Sequence, residues 1–575
     1  MPSLHPRFVP FAMSFLMLQA ILSVAVGARA ESACTPLTKM RLGDHEIFER
    51  LSATAAPDLA TAAPDLDGAL RIGRISTERL QIFDLDDPAE NSWLYRLANR
   101  FHILSREQAL LEQLQFASGQ RYDARALHET ERILRERRWL FDARVVPTQL
   151  CGDRVDVKVV TRDVWSLVGT GDVDRAGGDT NLAVGVQETN LFGRGERLGV
   201  LYTDGVDRSG PGFFFMDDYL AGGPLSLSVR GNKLTDGGRV LLDLVRPFRN
   251  LDDRLSYGAE LLFDQRDQPL FRAGKRVARF EQRHMRLRTF LASSSGRQDG
   301  VIRRWTLGLE FEDFTFDRTG GPLQPARIAD DRRGIWPFLR FESIEDDFDS
   351  RLRLDFLQRP QDVYQGLRYG VTLGYAPDLL GADASRIMVR ADLRDAHRPA
   401  PPWFLAWYAD LDASIRSGEH SENLVTRAGI EAHFRHHDQF GFFASLEGIY
   451  TRNLTEDRQL LLGGDTGLRG YPTRFQSGDR RVLLRLEERW FSTANPFRLL
   501  LVGAAVFVDT GRAWFPGDAN DETSGWLTNV GVGLRLGSNR GSARKLLHID
   551  LAVPLRRGGP DVDDVLIGLK ISETF

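Results

Sequence analysis

From about Trp165 to Phe575 the chain is written in short alternating segments separated by Gly, Asp, Asn and Pro, without a long amphipathic helix. In one segment Val530, Val532, Leu534 and Leu536 fall on one side, and Asn529, Gly531, Gly533, Arg535 and Gly537 on the other. In the next, Leu547, Ile549, Leu551, Val553 and Leu555 oppose His548, Asp550 and Arg556. Earlier, Val502, Ala504, Val506 and Val508 oppose Gly503, Ala505, Phe507, Asp509 and Gly511. A period of two puts each set on one face of a strand. Each apolar side spans about ten residues, the length a tilted strand needs to cross hydrocarbon.

Ahead of this region the grammar is mixed. Ile72, Ile75, Leu80 and Ile82 predict a strand. Ser105-Arg106-Glu107-Gln108 has the form of a capping box opening a helix with Leu110, Leu111 and Leu114, ended by Gly119. Asp123 can cap a second helix with Leu127, Thr130, Ile133 and Leu134 as its stripe. Val145-Val146 begins a strand, Cys151-Gly152-Asp153 turns, and Val155, Val157 and Val159 alternate on the next. The expected order is β-α-α-β-β over residues 70–164. Residues 31–69, rich in Ala, Pro and Asp, read as a linker or N-terminal extension.

The first thirty residues read as an address. His5 and Arg7 precede an apolar run from Phe11 to Val26, and Ala28-Arg29-Ala30 supplies a small-x-small cleavage pattern, so 1–30 is read as a secretory signal peptide. Both cysteines, Cys34 and Cys151, then lie in the exported part, where a disulfide is allowed and only one pairing exists.

Composition narrows the class. With 75 Lys+Arg against 79 Asp+Glu, a net charge of −4, no basic excess exists to hold a phosphate backbone, which argues against a nucleic-acid partner. A mean hydropathy of −0.28 excludes a polytopic helical membrane protein but not a barrel whose strands face lipid on one side only. Alternation alone does not separate a soluble sandwich from a membrane barrel. About 410 residues (165–575) exceed one sandwich, and at about 25 residues per strand and loop they fit about 16 antiparallel strands. The fold class expected is thus an all-β membrane barrel preceded by a small α+β domain.

Four motifs, in order, resemble the BamA, TamA and FhaC superfamily (the Omp-eighty-five barrels). Asn190-Leu191-Phe192-Gly193-Arg194-Gly195 is similar to its early Asn-Leu-x-Gly-x-Gly hairpin. Leu468-Arg469-Gly470-Tyr471 resembles the tip of its long inward-folded loop, Leu486-Glu487-Glu488-Arg489 its acidic-x-Arg strand, and Phe507-Val508-Asp509-Thr510-Gly511 its Phe-x-Asp-x-Gly strand. Five candidate strands follow the loop. The terminal Phe575 resembles the signal by which barrels are recognised for insertion, and 70–164 resembles a single POTRA domain, although another small α+β domain could show the same order. The resemblance implies that Arg469 engages Asp509, with Glu487 contributing, to hold the loop inside the barrel. It implies outer-membrane lipid around the barrel, a POTRA domain in the periplasm, and a narrow set of client polypeptides received at that domain's edge strand. It implies neither nucleotide nor cofactor.

Other chemistry is poorly signalled. Gly193-x-Gly195-x-x-x-Gly199 lacks the βαβ context of a dinucleotide fingerprint, and Gly463–Gly470 has no Gly-Lys-Ser/Thr end. No Gly-x-Ser-x-Gly elbow occurs, so no catalytic residue is nominated and the chain is not read as an enzyme. His433, His436, His437 and Asp438 read as a solvated turn rather than a metal site. The alternative function is a surface antigen or pore of the same fold.

Overall fold

The computed structural model describes residues 34–36, 70–88, 90–320, 323, 325, 327–352, 360–400, 402–416, 421–493, 500–517, 525–538, 545–557 and 562–573. The signal-peptide reading, most of the linker and Phe575 lie outside the described residues.

Residues 70–163 form a small α+β unit. Its sheet runs in the order Thr35–Pro36, Leu140–Cys151, Arg154–Asp163, Arg71–Leu80, with the last pair parallel. Ile72, Val155, Val157 and Val159 are fully buried, and Leu127 and Leu134 close the core over them. A disulfide joins Cys34 to Cys151, tying the two-residue strand Thr35–Pro36 to the end of Leu140–Cys151.

Three helices occur here where the sequence predicts two: α1 (Trp93–Phe101), α2 (Glu107–Leu111) and α3 (Ala124–Glu136). α3 follows expectation, with Asp123 accepting from the Arg125 N–H. The capping box does not form. Arg106, not Ser105, precedes α2 and makes no side-chain cap, because Ser105 gives both its N–H (2.8 Å) and its hydroxyl (2.7 Å) to Asp163. α1 escapes a core-seeking pattern because none of its residues is buried.

The remainder closes into an antiparallel barrel of 20 strands, from Leu167–Ala176 to Leu566–Glu573, rather than about 16. The estimate failed on loop length. Two-residue turns at 177–178, 235–236, 273–274, 299–300 and 438–439 put more of the chain into strand than about 25 residues per unit allows. Five strands follow the long loop 453–479. Two further pairs, Asp347–Leu352 with Pro360–Gln365 and Leu460–Leu462 with Gln476–Gly478, are small sheets outside the barrel.

The alternation sorts as a barrel requires. Val506, Val532, Leu534, Leu551 and Val553 are exposed on the outer face, while Phe507, Asp509, Asn529, Arg535 and Asp550 are buried on the inner one. Among the described residues no helix is long and apolar enough to cross a membrane. Wall height varies: Lys275–Gln298 has 24 residues and Leu255–Arg272 has 18, against 10 in the first strand and 8 in the last.

Among the described residues the first and last strands share two register pairs, Leu569 with Arg175 and Lys570 with Asp174, and the last strand shares eight with its other neighbour. Both pairs lie at the far end of the first strand.

The histidine cluster is aromatic packing around a turn. His433 meets Phe443 edge-on at 5.0 Å and His436 stacks over Phe434.

Candidate functional site

The long loop 453–479 turns inward because its tip carries both an apolar anchor and a cation. Leu462, Leu468, Tyr471 and Phe475 pack with Leu483, Ala513, Leu527 and Val562. Burying side chains of this size contributes roughly 1.5–3 kcal/mol each. The Tyr471 hydroxyl donates to the Arg556 carbonyl at 2.7 Å and accepts from the Thr528 N–H at 3.1 Å, so it is satisfied where it is buried.

Arg469 extends from this anchor to the barrel wall. Its Nε and Nη2 donate to Asp509 Oδ2 and Oδ1 at 2.9 and 2.7 Å, a bidentate fork. Nη1 reaches Glu487 Oε1 at 2.9 Å and Asp550 Oδ2 at 3.4 Å. The guanidinium also lies 3.4 Å from the Phe507 ring centroid. Neighbours complete the balance: Arg489 holds Glu487 at 2.9 Å, Arg535 holds Asp550 at 2.5 Å, and Asn529 donates to Asp509 at 2.8 Å. Three carboxylates thus meet three guanidiniums in a buried patch, where each charge depends on its partners.

The glycines of the motifs are explained by closeness. A Cβ on Gly470 would stand 2.5 Å from the Asn529 Cβ, and one on Gly511 would meet the Val482 carbonyl at 2.9 Å. The first would lift the loop from the wall, and the second would crowd the neighbouring wall strand.

The rest of the loop is stitched to the hairpins around it. Thr473 bonds Asp179 in the first hairpin, and Gln459 bonds both backbone groups of Phe271 at 2.8 and 3.0 Å. Arg332 forks onto Asp457 at 3.0 Å on both arms. Arg474 pairs with Asp207, a turn residue that Arg276 also approaches at 3.1 Å. Burial pushes the Asp207 carboxyl up, but the hydrogen bond and charge of Arg474, joined by Arg276, hold it below the usual carboxylate range.

The early motif has a different task, at the opposite end of the barrel. Asn190 Nδ2 donates to the Ser105 hydroxyl at 2.9 Å, and Asn190 Oδ1 accepts from the Gly195 N–H at 2.8 Å. The Arg106 N–H donates to the Gly193 carbonyl at 2.7 Å. Gly193 and Gly195 take φ of 75° and 76°, and a Cβ on them would meet the Leu104 carbonyl at 2.7 Å and the Trp139 indole at 2.9 Å. His102 and Ser105 both bond Asp163, so a continuous chain runs from the N-terminal unit to the barrel rim. Asn190→Ala should leave Ser105 and the Gly195 N–H short of partners at a cost of about 1–3 kcal/mol. The expected result is faster amide exchange at Leu104–Arg106 with an unchanged barrel. Unaltered exchange there would show that the link is not what holds the two parts together.

Sequence reasoning named Arg469, Asp509, Glu487 and the motif glycines, and the structure brings these together with Leu468 and Tyr471. Asp550, Asn529 and Arg535 were placed on polar faces by their alternation, but nothing in their spacing distinguishes them from other lumen residues. Phe507 was known as a motif position, not as a platform for the guanidinium.

Residues 400–536 match the model of the haemolysin secretion/activation protein ShlB/FhaC/HecB family. The match covers about a quarter of the chain, all of it within the barrel. The matched stretch contains the loop tip, Glu487 and Asp509; Asp550 and the N-terminal unit lie beyond it. No curated relative matches the chain. Among solved structures the chain is similar to CdiB from Escherichia coli, with 15% identity, a TM-score of 0.41, and coverage of 95% of this chain and 91% of that one. For CdiB from Acinetobacter baumannii the values are 13%, 0.42, 88% and 74%. For BamA from Haemophilus ducreyi lacking POTRA domains 1-3 they are 12%, 0.39, 87% and 85%.

Proposed function

We propose that this ShlB/FhaC/HecB-type barrel lies in the bacterial outer membrane and inserts or translocates a narrow set of polypeptide clients through its first-last strand seam. Residues 70–164 serve as a single POTRA-like domain in the periplasm. They receive an extended client on the sheet edges at Arg71–Leu80 or Leu140–Thr148, outside the short cover of Thr35–Pro36.

The observation that carries this reading is the seam, across which the described residues share two register pairs. Two or so backbone hydrogen bonds contribute on the order of 1–3 kcal/mol, small enough for thermal opening. The first strand, Leu167–Ala176, begins next to the N-terminal unit, so a client released there reaches the seam first, and an opened seam offers it backbone N–H and C=O groups to pair with. The tethered loop meanwhile occupies the lumen, which disfavours a wide constitutive pore.

The test locks the seam. Asp174→Cys with Lys570→Cys places thiols on a registered pair. Oxidation should abolish capture of clients by photo-reactive residues placed along Arg71–Leu80, and reduction should restore it. Full capture and delivery through an oxidised seam would sink seam opening and favour the pore reading.

A further inference from the structure

Helix α1 turns its apolar side the wrong way for a soluble domain. Its domain-facing side is fixed by Tyr95, whose ring stacks on Phe83 at 4.1 Å, and by Asn99, whose amide donates to the Phe83 carbonyl at 2.8 Å and accepts from the Phe83 N–H at 3.2 Å. At 3.6 residues per turn, Trp93, Leu94, Leu97 and Phe101 fall on another side. They are 70, 54, 41 and 68% exposed. Arg96 and Arg100, also exposed, border that face. A helix with its stripe away from its own core marks an interaction surface.

What covers the stripe follows from where the helix is held. Its C-terminus leads through Ile103, 53% exposed, into Leu104–Arg106, the segment bonded to the rim turn at Asn190–Gly193. On the other side of that contact stands Phe192, exposed and in a left-handed backbone conformation (φ 52°). Leu167, where the first barrel strand begins, is exposed too. The apolar face of α1 therefore continues, through residues on either side of one close contact, toward the outward belt of the barrel.

We propose that α1 is a lipid-binding site: it lies flat in the bilayer leaflet at this end of the barrel, with Trp93, Leu94, Leu97 and Phe101 among acyl chains and Arg96 and Arg100 among lipid phosphates. This rests on the reading of the barrel as membrane-embedded. Nine residues would bind a bilayer weakly alone, but the Ser105–Asn190 link holds them at the surface, which raises their effective concentration. The arrangement gives the N-terminal unit a second attachment beside the start of the seam strand and limits its swing.

The test uses the full chain reconstituted into vesicles of phosphatidylethanolamine and phosphatidylglycerol. A fluorophore is placed on Leu97→Cys, on Leu307→Cys in the outer belt, or on His128→Cys on α3, where the native residue lines an aqueous cleft against the rim. Spin-labelled lipid should quench the Leu97 probe at least about half as strongly as the Leu307 probe, and leave His128 bright. Quenching at Leu307 without quenching at Leu97 would overturn the lipid site and leave the embedded barrel standing. A Leu97 probe shielded from lipid-borne and aqueous quenchers alike would assign the face to a protein and overturn the lipid site as well. Absence of quenching at Leu307 would remove the embedded barrel itself, and α1 with it.

Discussion

Arg469→Ala is expected to leave the barrel closed and inserted while freeing the long loop. The guanidinium is the common partner of Asp509, Glu487 and Asp550. Arg489 and Arg535 remain to hold the last two. Asp509, fully buried, keeps only the Asn529 amide. Removing one partner of a buried pair costs about 3–5 kcal/mol, because the other charge is stranded. The apolar cluster around Leu468 and Tyr471 opposes release, so the loop exchanges between seated and free states rather than staying out. A loss of about 3 kcal/mol raises the free population more than a hundredfold. Trypsin cleavage at Arg458 and Arg474 should accelerate accordingly, and client delivery should fall. Arg469→Lys keeps the charge without the fork and should lie between the two. Wild-type cleavage rates and full delivery in the alanine variant would remove Arg469 from any role in seating the loop.

The second large effect is steric. Gly177 turns the first hairpin at φ +57°, and a Cβ there would run into the loop backbone at Pro472–Thr473 and stand 2.7 Å from the Tyr471 carbonyl. From the other side, a Cβ on Gly464 would reach the Gly177 nitrogen at 2.6 Å. Loop and hairpin thus pass backbone to backbone. Gly177→Val adds left-handed strain of about 1–2 kcal/mol to an overlap that neither backbone can relieve by rotamer change. The loop should be pushed off the hairpin, breaking the Thr473–Asp179 contact and giving larger, fluctuating conductance in planar bilayers. Gly178 shares the positive φ (89°) but has open space where its Cβ would go, so Gly178→Asn should be nearly silent. Equal conductance for the two variants would show that this close passage does not seat the loop.

Much of the barrel was readable because a period of two survives wherever one face meets an apolar medium and the other meets charge. Val530 to Leu536 and Leu547 to Leu555 could hardly be read otherwise. Strand number was not readable, since a two-residue turn and a long loop leave similar Gly and Asp signatures. The Arg469–Asp509 fork was accessible only through the order of motifs; no local rule pairs residues forty positions apart. Asp550 could not be singled out, because every lumen-facing acid has the same alternation. In the N-terminal unit, Ser105 looked like a helix cap and serves instead as a bridge between Asp163 and Asn190, a tertiary use that outcompetes a local one. The stripe of α1 was present in the sequence, but a reading that looks for cores passes over a helix that buries nothing.

The unequal wall has a mechanical corollary. At about 3.3 Å per residue and a tilt near 40°, the eight-residue strand Leu566–Glu573 rises roughly 20 Å, less than the ~30 Å hydrocarbon slab of a typical bilayer. The eighteen-residue strand Leu255–Arg272 overtops that slab. In the proposed outer-membrane setting, lipid dips beside Leu566–Glu573, so the molecule carries a dimple next to the seam.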